Sequence, residues 1–334
     1  MREHAQTPVG IRDAAYYLPG PAIDLRTWAV EQDVPPHHVT QLEDNGCRYF
    51  HEGPDHADAA LIASAIDRML ARDAAWLPDV RYLIHTHTQN FSMPAPPSSI
   101  LSDLVARYRL HPALCFSIGH MACAGAINAI AWAERLLRED ATARYALVVT
   151  SDRVFGDARH RLRLPGTIQS DGASAILVAK EGVRCVLGRI DIFSAPELHA
   201  GPSTRANKVA IARQTWIHTK QLLLAHSEQA GMQLSDYPQI LPVNADRHYW
   251  TQIAAGLKLP ASHFFFDNIP LRGHACCADL AVNLVDRGFA LLDQGQPVLL
   301  CGQSNIGAHA AMTLLPAGAG PRRPARHEEA SACA

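Results

Sequence analysis

The sequence predicts an α/β protein made of two related halves, and three observations carry that prediction. Strand-like apolar runs alternate with helix-period runs along nearly the whole chain. Each half contains a buried-type strand, a turn of small or polar residues, and then a helix. The 334 residues, 48% of them hydrophobic, suffice for about two domains or one duplicated unit.

The elements follow in order. Residues 9–18 read as a first strand and 24–33 as a short helix. Residues 57–71 form an amphipathic helix whose inner side is expected along Ala60, Leu61, Ser64, Ala65, Arg68 and Met69. Residues 80–86 are a buried strand, 90–99 a Pro- and Ser-rich loop, and 100–108 a helix. The run 113–118 is apolar and short enough for a buried strand. Ile127, Ile130, Ala131, Glu134 and Leu137 then share one helical face. Residues 146–150 form another buried strand, and Asp171-Gly172 turns into the apolar strand ending at Val178.

In the second half, residues 203–229 are mostly helical and 239–243 form a strand. The helix 247–257 is stopped by Gly256 and Pro260. A tight turn at 273–277 leads into a helix over 278–293. Strands at 298–301 and up to 315 complete the half. The expected division is 1–182, 183–315 and a disordered tail over 316–334, rich in Pro, Ala and charge.

Composition excludes several classes. With 30 basic and 32 acidic residues the net charge is -2, so nothing draws the chain to nucleic acid or an anionic membrane. No apolar run approaches the roughly 18 residues of a membrane span, and residues 1–9 lack the apolar region of a secretion signal. Eight cysteines occur without a C-x-x-C pair, which fits free thiols in a reducing cytoplasm.

The stretch 115–137 organises the rest. Gly119-His120-Met121-Ala122-Cys123-Ala124-Gly125 joins a strand to a helix, placing Cys123 where unpaired, partially positive N–H groups lower a thiol pKa. Most cysteines are small core residues, but this turn raises Cys123 to a candidate nucleophile. His85 and His87 alternate at a strand end with no further ligand at metal spacing, so no metal site is expected. Cys276 and Cys277 read as packing residues, and His120 as facing the turn or tuning an acyl pocket.

These residues resemble the thiolase superfamily and, within it, ketoacyl-ACP synthase III and its acyltransferase-like relatives. Cys123-Ala124-Gly125 is similar to the nucleophile motif, Asp171-Gly172-Ala173-Ser174-Ala175 to the G-D-G-A-G-A strand start, and residues 147–152 to the strand ending in S-D. The resemblance spans residues 9–315. It implies the thiolase fold, a duplicated α-β-α-β-α layered architecture, and usually a homodimer with the 90–100 loop near the partner's site. It also implies acyl loading of the cysteine from acyl-CoA or an acyl-carrier protein, with the CoA or phosphopantetheine thioester as substrate and no cofactor.

The departures bear on the reaction. Pro242-Val243-Asn244-Ala245-Asp246 stands where the family has P-H-Q-A-N, and Gly273-His274-Ala275-Cys276 where it has G-N-T-S. Cys123, His274 and Asp246, or Asn244 in place of Asp246, would supply a catalytic set. The Cys123 N–H would be one oxyanion donor, with a second in the Ser304-Asn305 turn. Arg205 and Lys208, with Arg213 nearby, are candidate contacts to the donor's phosphates. Losing one oxyanion donor costs on the order of 3 kcal/mol in condensation. Acyl transfer needs only an activated thiolate, an oxyanion hole and one base. Transfer to a small-molecule acceptor is therefore the first expectation, and C–C condensation with a remodelled triad the alternative. A catalytically weak subunit paired with an active homologue is a third, opposed by intact Cys123 and His274.

Overall fold

The structure, a computed structural model, describes residues 8–53, 55–88, 94, 97–111, 113–196, 204–304 and 306–318. In the first half β1 (Gly10–Tyr17) precedes a ribbon of β2 (Ile23–Asp24) and β3 (Tyr49–Phe50) that brackets helices α1 (Leu25–Glu31) and α2 (Pro36–Asp44). Then come α3 (Asp58–Leu70), β4 (Val80–Thr86), α4 (Ile100–Tyr108), β5 (Leu114–Ile118), α5 (Gly125–Glu139) and β6 (Tyr145–Asp152). The ribbon β7 (Leu162–Arg163) and β8 (Thr167–Ile168) leads to β9 (Gly172–Ala179). The second half runs β10 (Cys185–Ser194), α6 (Arg205–Gln229), β11 (Ile240–Pro242), α7 (Arg247–Gly256), α8 (Asn268–Arg272), α9 (Asp279–Asn283), α10 (Phe289–Asp293), β12 (Val298–Gln303) and β13 (Ala308–Pro316).

The two expected sheets are fused into one. Among the described residues nine strands order as β11-β12-β13-β10-β1-β9-β6-β4-β5. The seam is short: Gly10 pairs with Val186 and Ile11 with Cys185. Outward from it the wings repeat each other. β1–β9 and β9–β6 are antiparallel, β6–β4 and β4–β5 parallel. β10–β13 and β13–β12 are antiparallel, β12–β11 parallel, and a single parallel bridge from Ile240 to Phe264 stands where a further strand would lie. The duplication is thus visible in the topology, with the outermost strand of the second wing reduced to one bridge.

Side-chain alternation along the strands builds the layers. Leu83, Leu147 and Leu177 face α3 and α4, packing with Leu61, Ile62, Ile66, Met69 and Leu104. Their neighbours Ile84, Val148 and Ile176 face the opposite way, onto Ile127, Ile130 and Leu137 of α5 and Leu280 of α9. The second wing covers that same helical layer with Leu241, Leu300 and Met312, and presents Ile240, Leu299 and Ala311 to Leu223 of α6 and Trp250 and Ile253 of α7. The result is five layers, α-β-α-β-α, with α5 and α9 in the middle.

Three expectations need correction. The buried stripe of α3 runs through Asp58, Leu61, Ile62, Ala65, Ile66 and Met69, while Ala60 and Arg68 are exposed. The true stripe is rotated so that Ile62 and Ile66, the larger apolar groups, go inside. β5 is not buried: it is the sheet's outer strand, with Leu114 54% exposed. An apolar run shows that a strand needs cover, not which surface supplies it. Of the expected tail, Pro316 instead ends β13, residues 317–318 form an exposed turn, and 319–334 lie outside the described residues.

Candidate active site

The site forms where the two wings present matching turns to each other. The parallel strand β5 ends at Ile118, and a 3₁₀ turn over Ala122–Ala124 runs into α5. In the second half, after the Phe264 bridge and α8, a 3₁₀ turn over Cys276–Ala278 runs into α9. The sequences align without a gap and are identical at four of seven positions. Gly119-His120-Met121-Ala122-Cys123-Ala124-Gly125 parallels Gly273-His274-Ala275-Cys276-Cys277-Ala278-Asp279. Both turns are tight: Ala122 has φ +42° and Cys276 φ +53°, a conformation sparsely used by non-glycine residues.

The first turn supplies Cys123 and the second His274, with Cys123 Sγ 3.2 Å from His274 Nε2. The backbone of His274 is strapped in place, its N–H donating to Ile168 C=O (3.0 Å) and its C=O accepting from Ser170 N–H (3.0 Å). Gly273 enables this approach. Its φ is +61°, and a Cβ there would lie 2.9 Å from Ser170 Oγ and 3.0 Å from Ile168 O.

The imidazole is oriented by Asp279, five residues on, which accepts from His274 Nδ1 at 2.6 Å. Asp279 also accepts from Ala275 N–H (2.8 Å), Asn244 N–H (2.7 Å) and Asn244 Nδ2 (3.3 Å). The carboxylate is fully buried and charge-satisfied by these donors. With Nδ1 committed to Asp279, Nε2 faces the thiol.

The expected orienting role of Asp246 is therefore corrected. Asp246 Oδ1 caps α7 through Tyr249 N–H (3.0 Å) and accepts from Asn45 Nδ2 (2.9 Å), while the residue lines the cleft beside Gly166. Asn244 belongs to the network at one remove, bonded to Asp279 and accepting from Asn283 Nδ2 (3.0 Å), not to the imidazole.

Electrostatics follow from these contacts. The Cys276 thiol as hydrogen-bond donor, then the His274 imidazolium, hold the Cys123 thiol well below its ordinary pKa despite burial, which pushes it up. Burial alone would push His274 down, but the Cys123 thiolate and the Asp279 carboxylate outweigh it and hold the imidazole well above its ordinary value. Both shifts favour a thiolate beside an imidazolium. Cys276 is pushed up by donating to Cys123 and by burial, and Cys277 by burial. Gln169 Nε2 donates to Cys276 Sγ (3.2 Å), Thr88 Oγ1 to Cys123 Sγ (3.7 Å) and Cys277 Sγ to Ala122 C=O (3.0 Å). Asp152, at the end of β6, fixes both flanks by accepting from Thr88 N–H (2.7 Å) and Cys277 N–H (3.1 Å).

Cys123 and His274 open onto a cleft of about 500 Å³ whose walls include His120, Arg163, Asp246 and Gln303. The other sequence-derived residues divide. The Ser304 N–H is committed to Ala308 C=O (2.8 Å), and Asn305 lies outside the described residues. Arg205 opens α6 but its side chain lies outside them, and Lys208 is exposed on α6 and is not among the residues lining the cleft. Most of the 90–100 loop is likewise outside them. His85 is buried against Ser117 Oγ (3.4 Å) and Ser151 Oγ (3.3 Å), stacked on His87. Asp171 of the Asp171-Gly172 motif is structural, paired with buried Arg161 (2.8 and 3.0 Å) and accepting from Gly53 and Val154 N–H. Asp279, Thr88 and Gln169 carry no sequence signal of their own, and Cys276, expected to be a packing residue, instead donates to the Cys123 thiol. The repeat around His120 and His274 was the available signal, because it places Asp279 at the head of a helix next to the second turn.

A family model described as FAE1/Type III polyketide synthase-like protein matches residues 22–214, more than half of the chain. Comparison of the sequence with curated proteins gave no match. Among solved structures, the chain is similar to the acyltransferase ChlB3 (19% identity, 92% of this chain and 98% of that one, TM-score 0.76). It is also similar to 3-oxoacyl-(acyl carrier protein) synthase III, FabH, from Pseudomonas aeruginosa PAO1 (21%, 92% and 98%, TM-score 0.73). A third likeness is to AbyA1, a tetronic acid condensing enzyme (18%, 92% and 99%, TM-score 0.77). At these identities the likeness establishes the thiolase fold. Among the described residues no helix is long and apolar enough to cross a membrane.

Proposed function

The chain belongs to the FAE1/type III polyketide synthase-like family, and from that premise we propose that it transfers an acyl group to a small-molecule hydroxyl or amine through an acyl-Cys123 intermediate. The donor is the thioester of CoA or of an acyl-carrier protein. The Cys123 thiolate attacks the thioester carbonyl, and the departing thiolate takes the Nε2 proton of His274. The now neutral His274, its Nδ1–H held by Asp279, accepts the proton of the incoming hydroxyl or amine as that group attacks the acyl carbon. Collapse of the adduct restores the thiolate and imidazolium.

The observation that carries this reading is the line Asp279–His274–Cys123, at 2.6 and 3.2 Å. It serves a proton-shuttling base better than a pair of enolate donors. Condensation of the decarboxylative type needs two side-chain donors at one oxygen. Val243 packs beside Gly302 and its side chain has no donor, and the Asn244 amide is spent on Asp279. The same reading takes the protein as a cytoplasmic homodimer. Support for the dimer comes from β5, whose exposed Leu114 lies on an apolar outer strand.

The test is intact-mass analysis after incubation with short acyl-CoAs, then addition of amines and alcohols. One acyl mass should appear on Cys123 and leave with the acceptor. Adduct persisting in Cys123→Ala, or brisk carbon dioxide release from malonyl thioesters by the wild type, would overturn acyl transfer, the latter in favour of condensation.

A further inference from the structure

The second turn brings a third ligand-type atom to the catalytic pair. Cys276 Sγ, Cys123 Sγ and a His274 ring nitrogen all lie within 4.8 Å of one another. We propose that Cys123, His274 and Cys276 form an inhibitory site for a thiophilic divalent cation, of which zinc is the fitting ion, with the fourth position open to the cleft. The site stands on geometry alone and holds whether the enzyme transfers or condenses.

The donor set selects the ion. Two thiolates and one imidazole suit zinc, whereas magnesium and calcium require oxygen ligands. With bonds of about 2.3 Å to sulfur and about 2.1 Å to nitrogen, a tetrahedral zinc needs sulfurs about 3.8 Å apart and each sulfur about 3.6 Å from the nitrogen. Cys123 Sγ and His274 Nε2 stand 3.2 Å apart, about 0.4 Å short of that spacing, and the 4.8 Å limit on the three atoms leaves Cys276 Sγ at most about 1.2 Å too far. Binding displaces the proton on His274 Nε2 and the one on Cys276 Sγ, and the ion's two charges are balanced by two thiolates.

The surroundings are those of a metal centre as much as of a nucleophile. A zinc-bound histidine characteristically donates its other N–H to a carboxylate, as His274 Nδ1 does to Asp279 at 2.6 Å. Gln169 Nε2 already donates to Cys276 Sγ at 3.2 Å and Thr88 Oγ1 to Cys123 Sγ at 3.7 Å, supplying the hydrogen bonds that a coordinated thiolate keeps. Cys123 and His274 line the cleft, which gives a hydrated cation a route in and leaves room for a water or substrate sulfur as fourth ligand. A structural zinc would close all four positions with protein. Here three ligands include the nucleophile itself, so occupancy blocks acylation.

Cobalt(II) added anaerobically to the full-length protein is the direct probe. One equivalent should bind with tetrahedral ligand-field bands and a thiolate-to-metal charge-transfer band, both lost on addition of zinc. Zinc should also protect Cys123 from iodoacetamide. Cys276→Ser should weaken cobalt binding at least tenfold and lower the charge-transfer intensity, whereas Cys115→Ser, on the remote strand β5, should change neither. If Cys276→Ser does not fold, wild type alkylated at Cys123 decides the matter by binding no cobalt. A spectrum without charge transfer, one unchanged in Cys276→Ser, or one retained after alkylation of Cys123 would overturn the site.

Discussion

Replacing Asp279 by Asn tests the assignment of the orienting carboxylate most sharply. The carboxylate accepts four hydrogen bonds, Oδ2 from His274 Nδ1 and Asn244 N–H, Oδ1 from Ala275 N–H and Asn244 Nδ2. An amide has one oxygen and one NH₂, so whichever way it sits, donors face donors. If its oxygen stays on His274, the NH₂ opposes Ala275 N–H and the Asn244 amide, at about 1–3 kcal/mol for a buried unpaired group. If it turns over, the NH₂ faces Nδ1 and drives the ring to the tautomer with its proton on Nε2, where it no longer acts as a base. Removing the negative charge also removes one of the two anions that keep His274 protonated. Transfer should fall on the order of 10³–10⁴-fold, about 4–5.5 kcal/mol of barrier.

Iodoacetamide alkylation of Cys123 reads the same change without an acceptor. In the wild type the depressed thiol pKa keeps the thiolate as pH falls, and the raised imidazole pKa keeps the proton as pH rises, so fast alkylation extends well below the ordinary thiol value of about 8.5. In Asp279→Asn the rise in rate should move to higher pH. Asp246→Asn is the control: Asn is as good an N-cap, so transfer should stay within about twofold, a few tenths of a kcal/mol. A wild-type rate and pH profile in Asp279→Asn, or a larger loss in Asp246→Asn, would refute the reasoning.

Two further predictions concern the scaffold. Burial and the neighbouring His87 push His85 down to about 3, while an unfolded histidine titrates near 6.5. The unfolded chain therefore binds the extra proton as pH drops below about 6.5, and this residue alone should lower stability by about 1.4 kcal/mol per pH unit. Urea midpoints from pH 7 to 5 should fall less steeply in His85→Gln, and parallel curves would contradict the assignment. Gly125 opens α5 against β4, and a Cβ there would overlap Thr86 Oγ1 and lie 3.3 Å from Cys277 Sγ. Gly125→Ala should cost about 1–3 kcal/mol by overpacking and slow Cys123 alkylation. Wild-type stability together with wild-type alkylation would argue against that close approach.

Much of the architecture was legible because its signals are local. Residues 80–86 and 100–108 were read with the limits the structure gives. Each is a clean apolar or helix-period run closed by polar or turn residues. β10 has no legible strand pattern, because Gly188, Arg189 and Asp191 interrupt it and its last three residues lie exposed. The α3 stripe was misplaced by the ambiguity between i+3 and i+4 steps, which only the packing partners on β1 and β9 resolve. Cys123 is legible locally, in a small-residue turn between a strand and a helix, whereas His274 stands out only through the family resemblance, as the residue in place of the Asn of G-N-T-S.

What the sequence by itself determined, then, was the layered α/β class and the turn that makes Cys123 a candidate nucleophile, with His274 added by the family resemblance. What the tertiary structure decided was the company they keep. Asp246 and Asp279 lie 28 and five residues from His274 on opposite sides, and nothing in composition ranks them. The choice is made by the turn at Cys276, which aims the start of α9 back at the imidazole and places the Cys276 thiol beside Cys123. Periodicity and turn chemistry act over a few residues and are written in the chain. The direction in which a buried carboxylate or thiol points depends on backbone angles fixed by packing between two halves some 150 residues apart, and only the fold expresses it.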